Sequence, residues 1–172
     1  MSAIDSWSSQ RAALAVEALR CGGQLRLQVH GESMLPSLWP GDLAEIEACS
    51  LNQVGRGEIV LAFRDGRFFL HRFLTRVLPQ GEHGGFVTRG DSMPDPDPAF
   101  PSDALLGKLV GVERAGQSVS SSLSLSLSLA ARSWARAMGV LFCHCSFARR
   151  IALRLRNSRD WQRLSGTDLE TA

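Results

Sequence analysis

The sequence predicts a mainly β domain with a helix at each end, and three observations carry that prediction. From Gln24 apolar and polar residues alternate, and short runs separated by turn-forming residues follow as far as Glu113, the pattern of strands. Before Gly22-Gly23 a capping residue and a partial apolar stripe signal a helix, and after Ala130 the apolar spacing is three and four residues, the helical period. The composition, 44% hydrophobic and 21% charged over 172 residues, is that of a globular chain. It excludes disorder throughout, and it supplies a core that needs neither disulfides nor a structural metal.

The elements follow in order. Asp5 or Ser6 caps a helix running to about Arg20, with Trp7, Leu14 and Leu19 as a partial apolar stripe and Gly22-Gly23 as its stop. From Gln24, Leu25, Leu27 and Val29 alternate with polar residues, so a strand delivers the chain into a turn-rich loop from Gly31 to Asp42. Strands are then expected at Leu43 to Ala48, Glu58 to Arg64, Arg67 to Val77, Gly85 to Arg89 and Leu105 to Glu113, with Asp65-Gly66 as a hairpin turn. Each proline of Met93-Pro94-Asp95-Pro96-Asp97-Pro98 removes a main-chain donor, so that passage is a rigid loop.

After Gly116 the chain becomes low in complexity, ending in the Leu-Ser alternation from Leu123 to Leu129; a linker and an edge strand suit it equally well. Trp134, Met138, Leu141, Cys145, Ala148, Ala152 and Leu155 then mark an amphipathic helix. Four segments result: an N-terminal helix over 1–23, a compact β domain over 24–114, a Ser/Leu linker or edge strand over 115–129, and a basic amphipathic helix and tail over 130–172.

Charge is distributed unevenly. Residues 130–172 hold eight arginines against three acids, a charge of +5, in a chain whose total is +2. Such a segment packs on its own domain, docks on a partner, or lies peripherally on an anionic membrane surface through residues 130–156. Nucleic acid is not expected, because no stacking platform interleaves the basic residues and the body is acidic.

The start lacks the basic and apolar regions of a leader, and the longest apolar stretch, Ala137 to Cys143, is far short of the roughly twenty residues of a membrane span. A cytoplasmic location is the expectation. The four cysteines form no framework, and Cys143 and Cys145, two apart on a helix, face different ways, so no metal or other cofactor is expected. His30, His83 and His144 have no companion ligands and are expected to be ordinary polar positions.

Chemistry concentrates in the loop Gly31-Glu32-Ser33-Met34-Leu35-Pro36-Ser37-Leu38-Trp39-Pro40-Gly41-Asp42. A serine on a glycine-preceded loop after a strand can present both its Oγ and its own N–H to a carbonyl, but it needs a positioned base to act as a nucleophile.

Ser33-Met34-Leu35-Pro36 with Gly41-Asp42 resembles the Ser-Met-x-Pro box of the signal peptidase I and LexA-type serine peptidase superfamily. Gly57-Glu58-Ile59-Val60-Leu61, leading through Phe69-Leu70 to His71-Arg72, is similar to that family's second box and its base-bearing strand. Thr88-Arg89-Gly90-Asp91 and Leu106-Gly107-Lys108-Leu109-Val110-Gly111 resemble its last two boxes, so four ordered boxes span residues 31–111. The resemblance implies a compact peptidase β domain. His71 stands where the bacterial signal peptidases and LexA-type proteins have lysine, so the chain is most similar to the histidine-base signal peptidases of archaeal, endoplasmic-reticulum and sporulation type.

What the resemblance implies is a serine endopeptidase that cleaves a leader or signal-like peptide, or a preprotein, through an acyl-enzyme. Ser33 is the nucleophile, His71 the base, and the Ser33 amide the oxyanion donor. An imidazole ordinarily titrates near neutrality and can take a serine proton without the deep burial a lysine base requires. It needs an aspartate to fix its tautomer. Asp97 is the first candidate by its place beyond the third box, and Asp91 the second. Met34, Pro36, Phe69 and Leu70 are the implied substrate contacts. Many relatives carry a serine two residues before the nucleophile, where this chain has Gly31, which leaves the main-chain donor in place.

Two other classes stay open on sequence alone. A LexA-like regulator would cleave itself, with Cys21-Gly22 as the bond that resembles a self-cleavage site, although about thirty residues before the box leave no room for a helix-turn-helix domain. A catalytically silent module would keep the groove to hold a peptide.

Overall fold

A computed structural model of the protein describes residues 3–77 and 84–119, together with Arg154. Helix α1 (Ala3–Arg20) opens the chain, followed by strands β1 (Gln24–Gln28), β2 (Leu43–Ala48), β3 (Ile59–Arg64), β4 (Arg67–Val77), β5 (Gly85–Arg89), β6 (Phe100–Pro101), β7 (Leu105–Arg114) and β8 (Gln117–Val119). The eight strands form one sheet in the order β1-β2-β7-β3-β4-β5-β6, with β8 also on β7. A mainly β domain with one N-terminal helix is therefore the architecture of the described residues.

The local rules account for most of these boundaries. Helix α1 ends where expected: the Gly22 N–H donates to the Leu19 carbonyl at 3.0 Å and the Gly23 N–H to the Ala18 carbonyl at 3.1 Å, with Gly22 at φ 81°. That paired closure needs a left-handed residue, which glycine adopts without steric penalty. The apolar stripe is corrected in one place: Leu14 is 70% exposed, and Val16 joins Leu19 in the core instead. The Trp7 side chain lies outside the described residues.

The Asp65-Gly66 turn forms as predicted, with φ 53° and 75° at its two central residues and Arg64 paired to Arg67 across it. Positive φ at both positions matches the twist of the flanking strands. One short strand, β6, with only two residues, escaped the sequence pattern, and β8 pairs Val119 with Val112, so at its start the 115–129 segment takes the edge-strand alternative as far as Val119. The Leu-Ser alternation beyond it, the basic helix expected over 130–172 and the Cys143-His144-Cys145 step lie outside the described residues, as does His83.

Strand β3 is buried on both faces and separates two apolar clusters. Ile59 and Leu61 face a cluster that includes Val16, Leu19, Met34, Leu38, Ile46, Leu106 and Val112. Val60 and Ala62 face another, with Val54, Phe73, Phe86, Phe100 and Ala104, in which Phe86 stacks between Phe73 and Phe100. Side chains alternate across a strand, so β4, paired residue for residue with β3, must also present successive residues to opposite faces. Among the described residues, no helix is long and apolar enough to cross a membrane.

Candidate active site

The loop between β1 and β2 is held at its base and in its middle. Val29 and the Gly41-Asp42 step close it with two main-chain bonds of 2.8 Å. Asp42, whose side chain is fully buried, accepts from the Trp39 N–H at 2.8 Å and from Arg114 Nε and Nη2 at 3.0 and 2.7 Å. A buried carboxylate is tolerable only with such partners. Met34 and Leu38 are buried beneath the loop, so the chain turns around an apolar anchor and leaves Ser33 partly exposed.

The loop after β5 abuts Ser33. The Ser33 carbonyl accepts from the Ser92 N–H at 2.9 Å, and Ser92 Oγ donates to the Glu32 carbonyl at 2.8 Å. The approach is close enough that a Cβ on Gly90 would fall 2.6 Å from the Ser33 carbonyl oxygen and 2.9 Å from its Cβ. Glycine at 90 is thus a packing requirement of the loop that presents Ser33.

Three residues from three segments meet here. Ser33 Oγ lies 2.9 Å from His71 Nε2, and His71 Nδ1 lies 2.7 Å from Asp97 Oδ2. Thr88 Oγ1 donates to the same carboxylate oxygen at 2.6 Å, and the Asp97 N–H donates to the Thr88 carbonyl at 2.8 Å. Burial pushes the Asp97 carboxyl up, but the hydrogen bonds from His71 and Thr88 and the charges of His71 and Arg64 outweigh it, holding the group below the ordinary aspartate range. An ionised carboxylate only accepts, so the proton of a neutral His71 sits on Nδ1. Nε2 then offers its lone pair to the Ser33 hydroxyl.

Strand geometry explains why these groups share one place. His71 sits opposite Val60 and Phe73 opposite Thr88, so His71, Phe73 and Thr88 lie on one face of the sheet. Phe69, on the same face, sets its ring edge-on to His71 with centroids 6.1 Å apart. His71 is 9% exposed.

Of the residues predicted for the site, the structure brings together Ser33, His71 and Asp97, and places Asp91 elsewhere. Asp91 pairs with Arg72, accepting from Nε and Nη2 at 2.7 Å each, and Ser37 Oγ donates to it as well. Arg72 also donates to the Gly57 carbonyl at 2.6 Å. Burial disfavours the Arg72 charge, but Asp91 overrides this and raises its pKa above the ordinary arginine value. Asp91 as an orienting residue for His71 is therefore corrected: the sheet's alternation turns Arg72 to the other face, and Asp91 goes with it.

The implied substrate contacts divide. Met34 is 2% exposed and belongs to the core, so its side chain is closed to a peptide. Pro36, Phe69 and Leu70 are half-buried, Leu70 packing on the first cluster and Phe69 on the second. At position 31 an added Cβ would lie 4.0 Å from Ser33 Oγ, within reach of the hydroxyl. Asp95 and His30 are exposed.

Thr88 and Arg64 were not anticipated as site residues. Thr88 had a signal, a hydroxyl two residues after Phe86 on the buried face of a strand, where a polar group must find a partner. Among the described residues, no group of three or more His, Cys, Asp or Glu is placed to hold a metal ion. No family model matches the chain, and no curated protein matches it.

Proposed function

We propose that the protein is a serine endopeptidase of signal-peptidase type, cleaving a leader or signal-like peptide through an acyl-enzyme. The observation that carries this reading is the continuous hydrogen-bonded line from Ser33 Oγ through both ring nitrogens of His71 to Asp97. Each position has the donor and acceptor order that proton transfer away from a serine requires.

In this mechanism Ser33 Oγ attacks the scissile carbonyl while its proton passes to His71 Nε2. The Ser33 N–H stabilises the oxyanion, and Asp97 stabilises the imidazolium. His71 then protonates the leaving amine, the bond breaks, and the acyl group stays on Ser33. Water, deprotonated by His71, attacks the ester and regenerates the serine.

Among the described residues strand β1 pairs only with β2, and it leads directly into the Ser33 loop, so its other edge offers an extended peptide a row of main-chain partners. Self-cleavage at Cys21-Gly22 is disfavoured, because that bond lies in the closed turn ending α1. A peptidase acts on extended chain.

The test is incubation of wild type and Ser33→Ala with a diverse peptide library between pH 5 and 9, read by mass spectrometry. It is run with and without anionic vesicles, since residues 130–156 are our candidate for peripheral membrane contact. Wild-type cleavage that falls by about 10⁴-fold or more in Ser33→Ala supports the reading. Cleavage by neither folded protein under any condition would favour a silent peptide-binding module.

A further inference from the structure

The loop carrying Asp97 poses a structural problem. Pro94, Pro96 and Pro98 alternate through it, so every second residue lacks an N–H, and the segment cannot be anchored by a strand ladder. The Asp97 N–H is tied to the Thr88 carbonyl on one side. On the other side, the first strand pairing begins at Phe100. Between these points, tying down the exposed Pro98 and Ala99 takes donors from elsewhere.

Arg64, the last residue of β3, supplies them. Its Nη1 donates to the carbonyls of Pro98 and Ala99, at 3.3 Å each. Its guanidinium lies over the Phe100 ring, 4.1 Å from the centroid, and 5.5 Å from that of Phe69. Phe69 and Phe100 themselves meet edge-on at 5.4 Å. A planar cation that stacks on an aromatic ring while directing its N–H groups sideways suits this position, and a lysine would do only part of it. The ion pair of Arg64 with Asp65 is long, 3.8 Å, and Asp65 is 90% exposed, so it does little to hold the side chain.

We propose that Arg64 is a positioning residue for Asp97: by clamping the Pro98 and Ala99 carbonyls onto the Phe69-Phe100 ring pair, it holds the carboxylate at hydrogen-bond distance from His71 Nδ1. The proposal rests on the peptidase reading of Ser33, His71 and Asp97 and extends it to the residue that sets their alignment. The charge of Arg64 contributes to keeping Asp97 ionised, which acts in the same direction.

The experiment follows the His71 Nδ1 proton by NMR in the full chain labelled with ¹⁵N-histidine. A proton shared with a carboxylate resonates far downfield, and Asp97→Ala identifies it by abolishing it. In Arg64→Met, which keeps the stem and removes every donor, the signal is expected to broaden or vanish while the thermal midpoint moves by a few degrees. With the best library peptide, kcat is expected to fall about tenfold at unchanged KM, as misalignment of a catalytic group does, and Arg64→Lys to recover part of it. If Arg64→Met does not fold, Arg64→Leu, which also has no side-chain donor, is read in the same way. A downfield signal unchanged in the folded variant overturns the proposal. A signal that depends on Arg64 in a protein that cleaves no peptide supports the clamp and counts against the peptidase reading alone. A wild type with no such signal overturns the hydrogen bond on which both rest.

Discussion

Two neighbouring residues of β4 each stand between a serine and an aspartate, and the two sets come from the same three segments. On one face Ser33, His71 and Asp97 are joined; on the other, Ser37, Arg72 and Asp91. Both serines belong to the loop before β2, and both aspartates to the loop after β5. The difference is in the middle group. An imidazole donates at one nitrogen and accepts at the other, so it can move a proton from serine toward itself and back. A guanidinium has only donors and keeps its charge, so it can hold its neighbours but cannot act on them. One set has a group that can pass a proton and the other pins the two loops to the strand, although their residue types nearly match.

That contrast can be broken most directly by giving both aspartates the same substitution. Asp97→Asn replaces an acceptor-only carboxylate with an amide that can also donate to Nδ1, so the His71 tautomer is no longer fixed, and on the proposed mechanism kcat is expected to fall by about 10³-fold with little change in KM. Asp91→Asn is expected to leave any peptidase rate of the folded protein within a few-fold while lowering stability. Steady-state kinetics on one peptide checks both, and equal losses of kcat would remove the distinction.

Arg72→Met tests the pinning role. It leaves Asp91 and the Gly57 carbonyl without their guanidinium donors, and a loss of about 3 kcal/mol in unfolding free energy is expected, a partly solvated version of breaking a buried pair. Urea denaturation measures it. A loss below about 0.5 kcal/mol, the range of an exposed pair, would make the Arg72 set an ornament of the surface.

The smallest effect concerns pH. The folded-state carboxyl of Asp97 is held below its ordinary value of 3.8, so its contribution to stability is fully present above that pH and is lost as pH falls through the folded value. The stability difference between wild type and Asp97→Asn should therefore shrink as pH is lowered from 6 to 3. A difference that stays constant or grows toward acid would show that the carboxyl is not held low in the folded protein.

Much of this was legible in the sequence where the deciding forces are local. The Asp65-Gly66 hairpin and the Gly22 helix stop follow from conformations that few residues adopt, and six strands follow from apolar runs bounded by turn signals. Ser33 and His71 stood out because each occupies a recognisable box. Leu14 departs from expectation because periodicity says that a residue is apolar and lies on a stripe, whereas burial depends on what packs against that stripe; Met34, a substrate contact by resemblance, is instead core, because a box of consecutive residues does not say which side chain the loop turns inward. β6 and β8 are too short to leave a periodic signal, and their pairing depends on Phe86 and Val112, far away or across a turn.

Neighbouring residues were enough for the longer elements, the turn chemistry and the pair Ser33 and His71 as the candidates for reaction, because those depend on short stretches of chain. The choice between Asp97 and Asp91 was made by the fold. Alternation alone puts His71 and Arg72 on opposite faces of β4, but which aspartate meets which face depends on where the proline-rich loop crosses the sheet. That crossing is set by the register of β4 on β5, by Gly90 yielding to the Ser33 loop, and by the main-chain ties of Asp97 and its neighbours to Thr88 and Arg64. These contacts join residues distant in the chain, and no rule confined to neighbouring positions contains them.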